Sequence, residues 1–258
     1  MGEVNKNSRY GMSNWISFYD LRHSLIYVNA RHRDVHYRRI AEDLSKLVPS
    51  RAAKVLDYGC GEATSADRLA ASCGHLTMVE AAPNVLAALK ARYGDNSKIS
   101  VVTPAQAKAM PAGSFDLIVL HSVAQYLTGE ELDGLLKLFR RLLKPDGLLL
   151  IGDVVRPRFA APAAALSLLQ FAAGNGFFLA ATLGLARIAV SDYLRLKSKV
   201  GLSHYDEAAM LEKIARAGYT AERAKRNIGH NQWRMAFLAR PLERAAKSRP
   251  RRRVTRRR

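Results

Sequence analysis

The sequence predicts an α/β protein: a mostly parallel sheet of seven strands with helices on both faces. Three observations carry that expectation. From residue 53 onward, short and nearly unbroken apolar runs alternate with segments of helical periodicity, the pattern of strands buried on both faces. A glycine turn, Gly59-Cys60-Gly61, stands between the first such run and the first helix after it. Glu80 closes the second run, 23 residues beyond Asp57 at the end of the first.

Residues 13–48 are rich in aromatic and basic side chains and read as helical, ending before Pro49. Residues 53–57 are the first strand, and 63–71 a helix whose Leu69 faces the sheet. After a second strand at 76–80, Pro83 stands in a helix's first turn, where a missing N–H costs nothing. Val85, Leu86 and Leu89 follow at helical spacing. Residues 99–102 and 115–120 are the third and fourth strands. Leu132, Leu135, Leu136, Phe139, Leu142 and Leu143 form the buried stripe of a helix over 130–143. Pro145-Asp146-Gly147 reads as a turn into a fifth strand at 148–151. Later, Asp206 is an N-cap for a helix through Ala217 that Gly218 closes, and strands near 220–225 and 233–239 end the domain.

Between the fifth strand and Asp206 the pattern breaks. Residues 159–186 contain no charged side chain, while Arg156, Arg158, Arg187 and Arg195 flank them. Gly174-Asn175-Gly176 divides this run into halves too short to span a bilayer of about 30 Å. It reads as a pair of lid helices, a dimer interface, or a hairpin dipped into one leaflet. The organisation is thus an N-terminal helical cap over 1–49 and a main domain over 50–240, with a hydrophobic lid or insertion at 156–203. A basic tail at 241–258 carries nine Lys or Arg and one Glu. A run of like charge repels itself and is expected to be disordered; it suits nucleic acid, an anionic membrane, or solubility alone. Two cysteines, Cys60 and Cys73, are too few for a disulfide framework or a four-ligand zinc site and suit a reducing compartment. The polar residues 1–14 lack a hydrophobic signal core. A cytoplasmic protein, peripheral to the membrane or free of it, is the expectation.

The chemistry centres on Asp57. Glycines let a backbone approach a ligand closely, and the helix N-terminus beyond them offers unpaired N–H groups. An acid where Glu80 stands can accept the ribose hydroxyls of an adenosine. A dinucleotide would bring a pyrophosphate against the Asp57 carboxylate, and the third fingerprint position, Thr64, is neither Gly nor Ala. A cofactor bearing an ammonium and a sulfonium instead gains from a carboxylate there.

Residues 55–62, Val-Leu-Asp-Tyr-Gly-Cys-Gly-Glu, resemble the first motif of the class I S-adenosylmethionine-dependent methyltransferases, whose fold is Rossmann-like. Met78-Val79-Glu80 resembles the acidic second motif. Residues 110–119 resemble the family's approach to strand four, and 143–149 its turn before strand five. The resemblance covers about 50–153 and, more loosely, 204–240. It implies S-adenosyl-L-methionine as cofactor, with Asp57, Gly59 and Gly61 on the methionine moiety and Glu80 on the ribose. Ala81 would lie beside the adenine. Gln106-Ala107 falls where an acceptor for the adenine amine is common, and His121 where a backbone carbonyl meets the cofactor's amino group.

The methyl acceptor is less legible. Candidate bases are His121, His230, His36 and Tyr37, with His121 best placed at the carboxyl edge of the sheet and His230 in the polar turn 229–232. Leu120-His121-Ser122-Val123 replaces the Asn-Pro-Pro-Tyr-like motif of amino methylation on nucleobases or Gln side chains. The uncharged lid, with Trp15, Phe18, Tyr19, Tyr27 and Tyr37, is expected to wall a pocket for an apolar or lipid-like molecule. An RNA or protein methyltransferase guided by the tail, and a non-catalytic cofactor-binding or membrane adaptor, are the alternatives.

Overall fold

The computed structural model describes residues 16–17, 20, 27–157, 161–189 and 202–242; the expectations for Trp15, Phe18, Tyr19, Arg158, Arg195 and the tail beyond 242 lie outside them. The strands are β1 (Lys54–Tyr58), β2 (His75–Val79), β3 (Ile99–Val102), β4 (Phe115–His121), β5 (Leu143–Val154), β6 (Tyr219–Arg223) and β7 (Met235–Pro241). The helices are α1 (Ala30–Ser45), α2 (Ala66–Ser72), α3 (Pro83–Tyr93), α4 (Pro104–Ala109), α5 (Gly129–Leu142), α6 (Ala161–Asn175), α7 (Phe178–Ala189) and α8 (Glu207–Arg216).

All seven strands join one sheet in the order β3-β2-β1-β4-β5-β7-β6. Every pairing from β3 across to β5 is parallel, and β7 runs antiparallel to both β5 and β6. The expected fold class holds. In β1, Val55 and Leu56 point to opposite faces and both are fully buried, which is why the strand reads as an apolar run without alternation. Leu56 packs with Phe139, Leu136 and Ile214 under α5 and α8; Val55 packs with Leu69, Leu89 and Leu44 under α1, α2 and α3.

Local chemistry starts the helices where it should. Thr128 accepts from Glu131 N at 3.1 Å while the Glu131 carboxylate accepts from Thr128 N at 2.7 Å, a capping box that opens α5 above its leucine stripe. Asp206 caps α8 through Ala209 N at 2.7 Å, and Gly218, at φ +89°, ends it in the left-handed region.

Two local expectations are corrected. The segment 144–147 is not a turn ahead of a short strand: β5 runs through it, with Phe115 opposite Leu143 and Leu117 opposite Leu148. The intervening residues bulge out of the ladder, because Pro145 has no N–H to pair and Gly147 leaves room for the Leu143 side chain. The helix α4 was absent from the sequence reading, although Thr103, Pro104 and Gln106 form a second capping box.

The uncharged run does form two helices, α6 and α7, joined through Gly176 at φ +72°. Among the described residues no helix is long and apolar enough to cross a membrane. The pair is not fully buried. Ala172, Phe177 and Ala181 close on Val35 of α1, while Leu166, Leu179 and Leu183 remain 53%, 78% and 62% exposed.

Candidate active site

The strand order reverses between β1 and β4, and a cavity opens there at the carboxyl ends of the parallel strands, where such sheets bind ligands. Its floor is the glycine turn. Gly59 and Gly61 adopt φ +74° and +61°, and a Cβ would meet Val123 Cγ2 at 2.6 Å from the first and Tyr37 Oη at 2.7 Å from the second. Both positions therefore exclude a side chain twice over, by backbone conformation and by contact.

Two carboxylates face this turn. Glu80 Oε2 accepts from Gly61 N at 3.0 Å, and Oε1 accepts from Ala81 N at 2.7 Å and Ala82 N at 2.8 Å. Three of the roughly four acceptor positions of a carboxylate are thus filled, leaving one on Oε2 for an incoming hydroxyl. Asp57 is partly buried, and desolvation followed by the charge of Glu80 pushes its carboxyl up to about 7. Among the described residues no Lys or Arg lines the cavity to offset the two acids. A ligand cation fits that deficit. Cys60, between the glycines, stays a thiol: burial and the same two acids push it well above its ordinary range.

Helix α1 forms the wall above the turn. Asn29 caps it through His32 N at 2.8 Å, and His32, His36, Ile40 and Leu44 then recur every four residues along one side. Tyr37 Oη accepts from Glu62 N at 3.0 Å, and Arg33 Nη1 lies 3.3 Å from Glu62 Oε2, so α1 is tied to the segment carrying Gly61. His36 lines the cavity and its buried Nδ1 has no hydrogen-bond partner. Burial, then the nearby His230, His121 and His32, hold its imidazole well below the usual pKa, so it is neutral.

The third wall is the end of β4. His121 pairs across from Gly152, and its Nδ1 lies where a Cβ at Gly152 would stand, 2.6 Å away. Its pKa is lowered, chiefly by burial. Next to it Ser122 and Asp153 both sit in the left-handed region, at φ +59° and +62°. Ser122 Oγ donates to Asp153 Oδ2 at 2.9 Å, and Asn227 Oδ1 accepts from Asp153 N at 2.9 Å. Paired strain at the carboxyl edge of a sheet is a mark of a working site.

Of the residues singled out from sequence, Asp57, Gly59, Gly61, Glu80, Ala81, His121, His36, Tyr37 and Tyr27 meet in this cavity. Gln106 does not line it: the side chain is exposed and its Oε1 accepts from Thr103 N at 2.8 Å, while Ala107 is buried in the core. Pro104 reaches the wall instead. His230 also stands apart, stacked on Phe171 at 4.4 Å between centroids and lining a neighbouring groove with Arg39 and Gln170. The uncharged hairpin, expected as the receiving wall, contributes no lining residue among those described. Helix α1 lies between, so Phe171 and Phe177 touch the imidazoles of His230 and His32 rather than the cavity. Sequence reading missed Ser122, Val123 and Tyr126 as wall residues.

Residues 56–151 match the model of a family described as a methyltransferase domain. Nodulation protein S of Bradyrhizobium diazoefficiens is 32% identical over 103 residues, 40% of this chain and 49% of that protein, so the chain spans about half the length of this curated relative. A structure titled as a DhpI–SAH complex is similar over 90% of this chain and 97% of its own, with a TM-score of 0.57 at 13% identity. The PH0226 protein of Pyrococcus horikoshii is similar over 87% and 98%, with a TM-score of 0.56 at 16% identity. The mitomycin 7-O-methyltransferase MmcR is similar over 80% and 54%, at 0.55 and 17%. At these identities the structural likenesses establish the fold.

Proposed function

We propose, from the premise that the chain carries a class I S-adenosylmethionine-dependent methyltransferase domain, that the protein methylates a small, apolar or lipid-like molecule. The observation that carries this reading is a cavity with two partly buried carboxylates at one glycine turn and no Lys or Arg among its described lining residues. Asp57 and the turn would hold the methionine moiety, Glu80 one ribose hydroxyl, and Ala81 the edge of the adenine. When bound, S-adenosylmethionine supplies an electrophilic methyl group. The chain's part is to position the acceptor against it and keep water out, which the apolar lining from Ile40, Leu44, Val123 and Leu127 favours.

Calorimetric titration with S-adenosylhomocysteine tests the cofactor half. Binding to the wild type that Asp57→Ala and Glu80→Ala each weaken, by about tenfold or more, supports it; a wild type that does not bind rejects it. A labelled-methyl assay on cell extract separated into lipid, small-molecule, RNA and protein fractions tests the acceptor half. Label confined to RNA or protein would reverse the substrate assignment.

A peripheral contact with anionic membrane is a second reading, favoured by the exposed Leu179 and Leu183 beside Arg187 on a chain of net charge +19. Failure of the full chain to float with anionic liposomes would reject it.

A further inference from the structure

Apart from Asp57 and Glu80, no charged side chain lines the cavity among the described residues. The part built from α1 and the end of β4 is instead a set of neutral rings: Tyr27, His36, Tyr37, His121 and Tyr126. Two of the phenols are already committed. Tyr37 Oη accepts from Glu62 N at 3.0 Å and is hydrogen-bonded to Tyr27, which ties the two phenols to each other and to the turn. His121 is packed against Gly152. His36 differs. Its ring lies 5.5 Å from Tyr37, 5.7 Å from Tyr27 and 5.8 Å from His230, yet its Nδ1 makes no hydrogen bond.

A buried imidazole with an unspent nitrogen is unusual, because folded proteins satisfy such atoms or exclude them. In a cavity shaped to receive a ligand, it is a group held for the ligand. Aromatic walls favour a flat aromatic acceptor by stacking and edge contacts. With no further carboxylate among the described lining residues, an ammonium would enter without a partner there. A neutral hydroxyl meets neither penalty.

We propose that this part of the cavity receives an acceptor of the phenol class and that His36 is the base that takes its hydroxyl proton. The proposal rests on the methyltransferase reading above. As the phenol oxygen forms its bond to the methyl carbon, the carbon–sulfur bond breaks and its electron pair returns to sulfur. The O–H proton passes to His36. A neutral phenol and a sulfonium thereby become a methyl ether, a thioether and an imidazolium, so atoms and charge balance. A weakly basic imidazole suffices: an oxygen that has begun to bond carbon is far more acidic than any imidazolium. Its low proton affinity keeps His36 available as a base at neutral pH.

The test uses the full chain saturated with S-adenosylhomocysteine and two fluorescent probes, 4-methylumbelliferone and its methyl ether, which lacks the hydroxyl proton. The wild type binds the hydroxycoumarin. His36→Phe keeps a ring, weakens that probe about tenfold, and leaves the ether and S-adenosylhomocysteine within about twofold. His36→Gln retains a hydrogen-bond acceptor but no usable base. It recovers most of the probe affinity, while transfer of labelled methyl to the hydroxycoumarin falls on the order of 100-fold. If His36→Phe melts far below the wild type, the Gln variant carries the test through its split between binding and transfer. Equal affinity of wild type and His36→Phe for the hydroxycoumarin overturns the role of His36. So does transfer by His36→Gln at the wild-type rate. A wild type that binds S-adenosylhomocysteine but neither binds nor methylates the hydroxycoumarin overturns the phenol assignment and leaves the methyltransferase reading standing. No binding of S-adenosylhomocysteine at all overturns the reading beneath both.

Discussion

Asp57 carries a cost that a bound cation relieves, and that cost sets a pH signature. Burial and the neighbouring Glu80 raise its carboxyl from 3.8 to about 7. A carboxyl whose pKa is raised on folding holds its proton more tightly in the folded state, so its stabilising contribution is complete below the unfolded value and is lost as pH rises through the folded one. The ligand-free protein should therefore lose melting temperature between about pH 4 and about pH 7, and Asp57→Asn should flatten that slope. Thermal melts across this range decide it; an unchanged slope in the variant places the titration elsewhere. A ligand ammonium beside Asp57 favours the carboxylate, so binding S-adenosylhomocysteine near pH 7 should release a proton. Calorimetry in buffers of different ionisation enthalpy reads that release directly, and Asp57→Asn abolishes it. Asp57 was legible in the sequence because the position of a carboxylate before two glycines has a local meaning. Gln106 is placed at the adenine amine by position in the family resemblance alone. Its side chain reaches back to Thr103 N, a competition that a helix start always offers to Gln at its third residue.

Among the elements, the central strands were the most legible part of the fold, since burial on both faces writes itself as an unbroken apolar run. The bulge at 144–147 was less so: Pro-Asp-Gly has the same composition whether it turns the chain or swells out of a ladder, and the pairing partner decides. Helix α1 shows a further limit. Its four-residue recurrence of His32, His36, Ile40 and Leu44 is visible in the sequence, but which of these meets the cavity depends on how the helix lies over the turn. The Tyr37 hydroxyl is the contact that fixes this. Gly61→Ala would place a Cβ 2.7 Å from Tyr37 Oη but 3.9 Å from its Cζ, so the clash belongs to the hydroxyl. In wild-type background the substitution should cost about 2–3 kcal/mol, part backbone strain and part displacement of Tyr37. Tyr37→Phe alone should cost about 1 kcal/mol through the lost Glu62 hydrogen bond. In the double variant the steric part disappears, and denaturant melts should show the two costs summing to less than their separate values. Strict additivity would mean that α1 does not rest on the turn through this hydroxyl.

At the scale of the whole molecule, the apolar hairpin turns leucines to solvent on a chain of net charge +19. Helix α7 exposes Leu179 and Leu183, four residues apart on one side, and Arg187 follows at the same interval. A face of that kind buries leucines at a lipid interface while its arginine remains among headgroups. The two attractions respond differently to salt. Charge contacts weaken as the screening length shortens, whereas burial of leucine does not. Flotation of the full chain with anionic vesicles should therefore fall only in part between about 0.1 M and about 1 M salt. The fraction that persists should be the hairpin's. Leu179→Glu together with Leu183→Glu should remove this salt-resistant fraction and leave the salt-sensitive one nearly intact. Both side chains are more than half exposed, so the double variant should melt within about 0.5 kcal/mol of the wild type and bind S-adenosylhomocysteine unchanged. A salt-resistant fraction of wild-type size in the double variant would show that the leucine face of α7 is not what touches the vesicle.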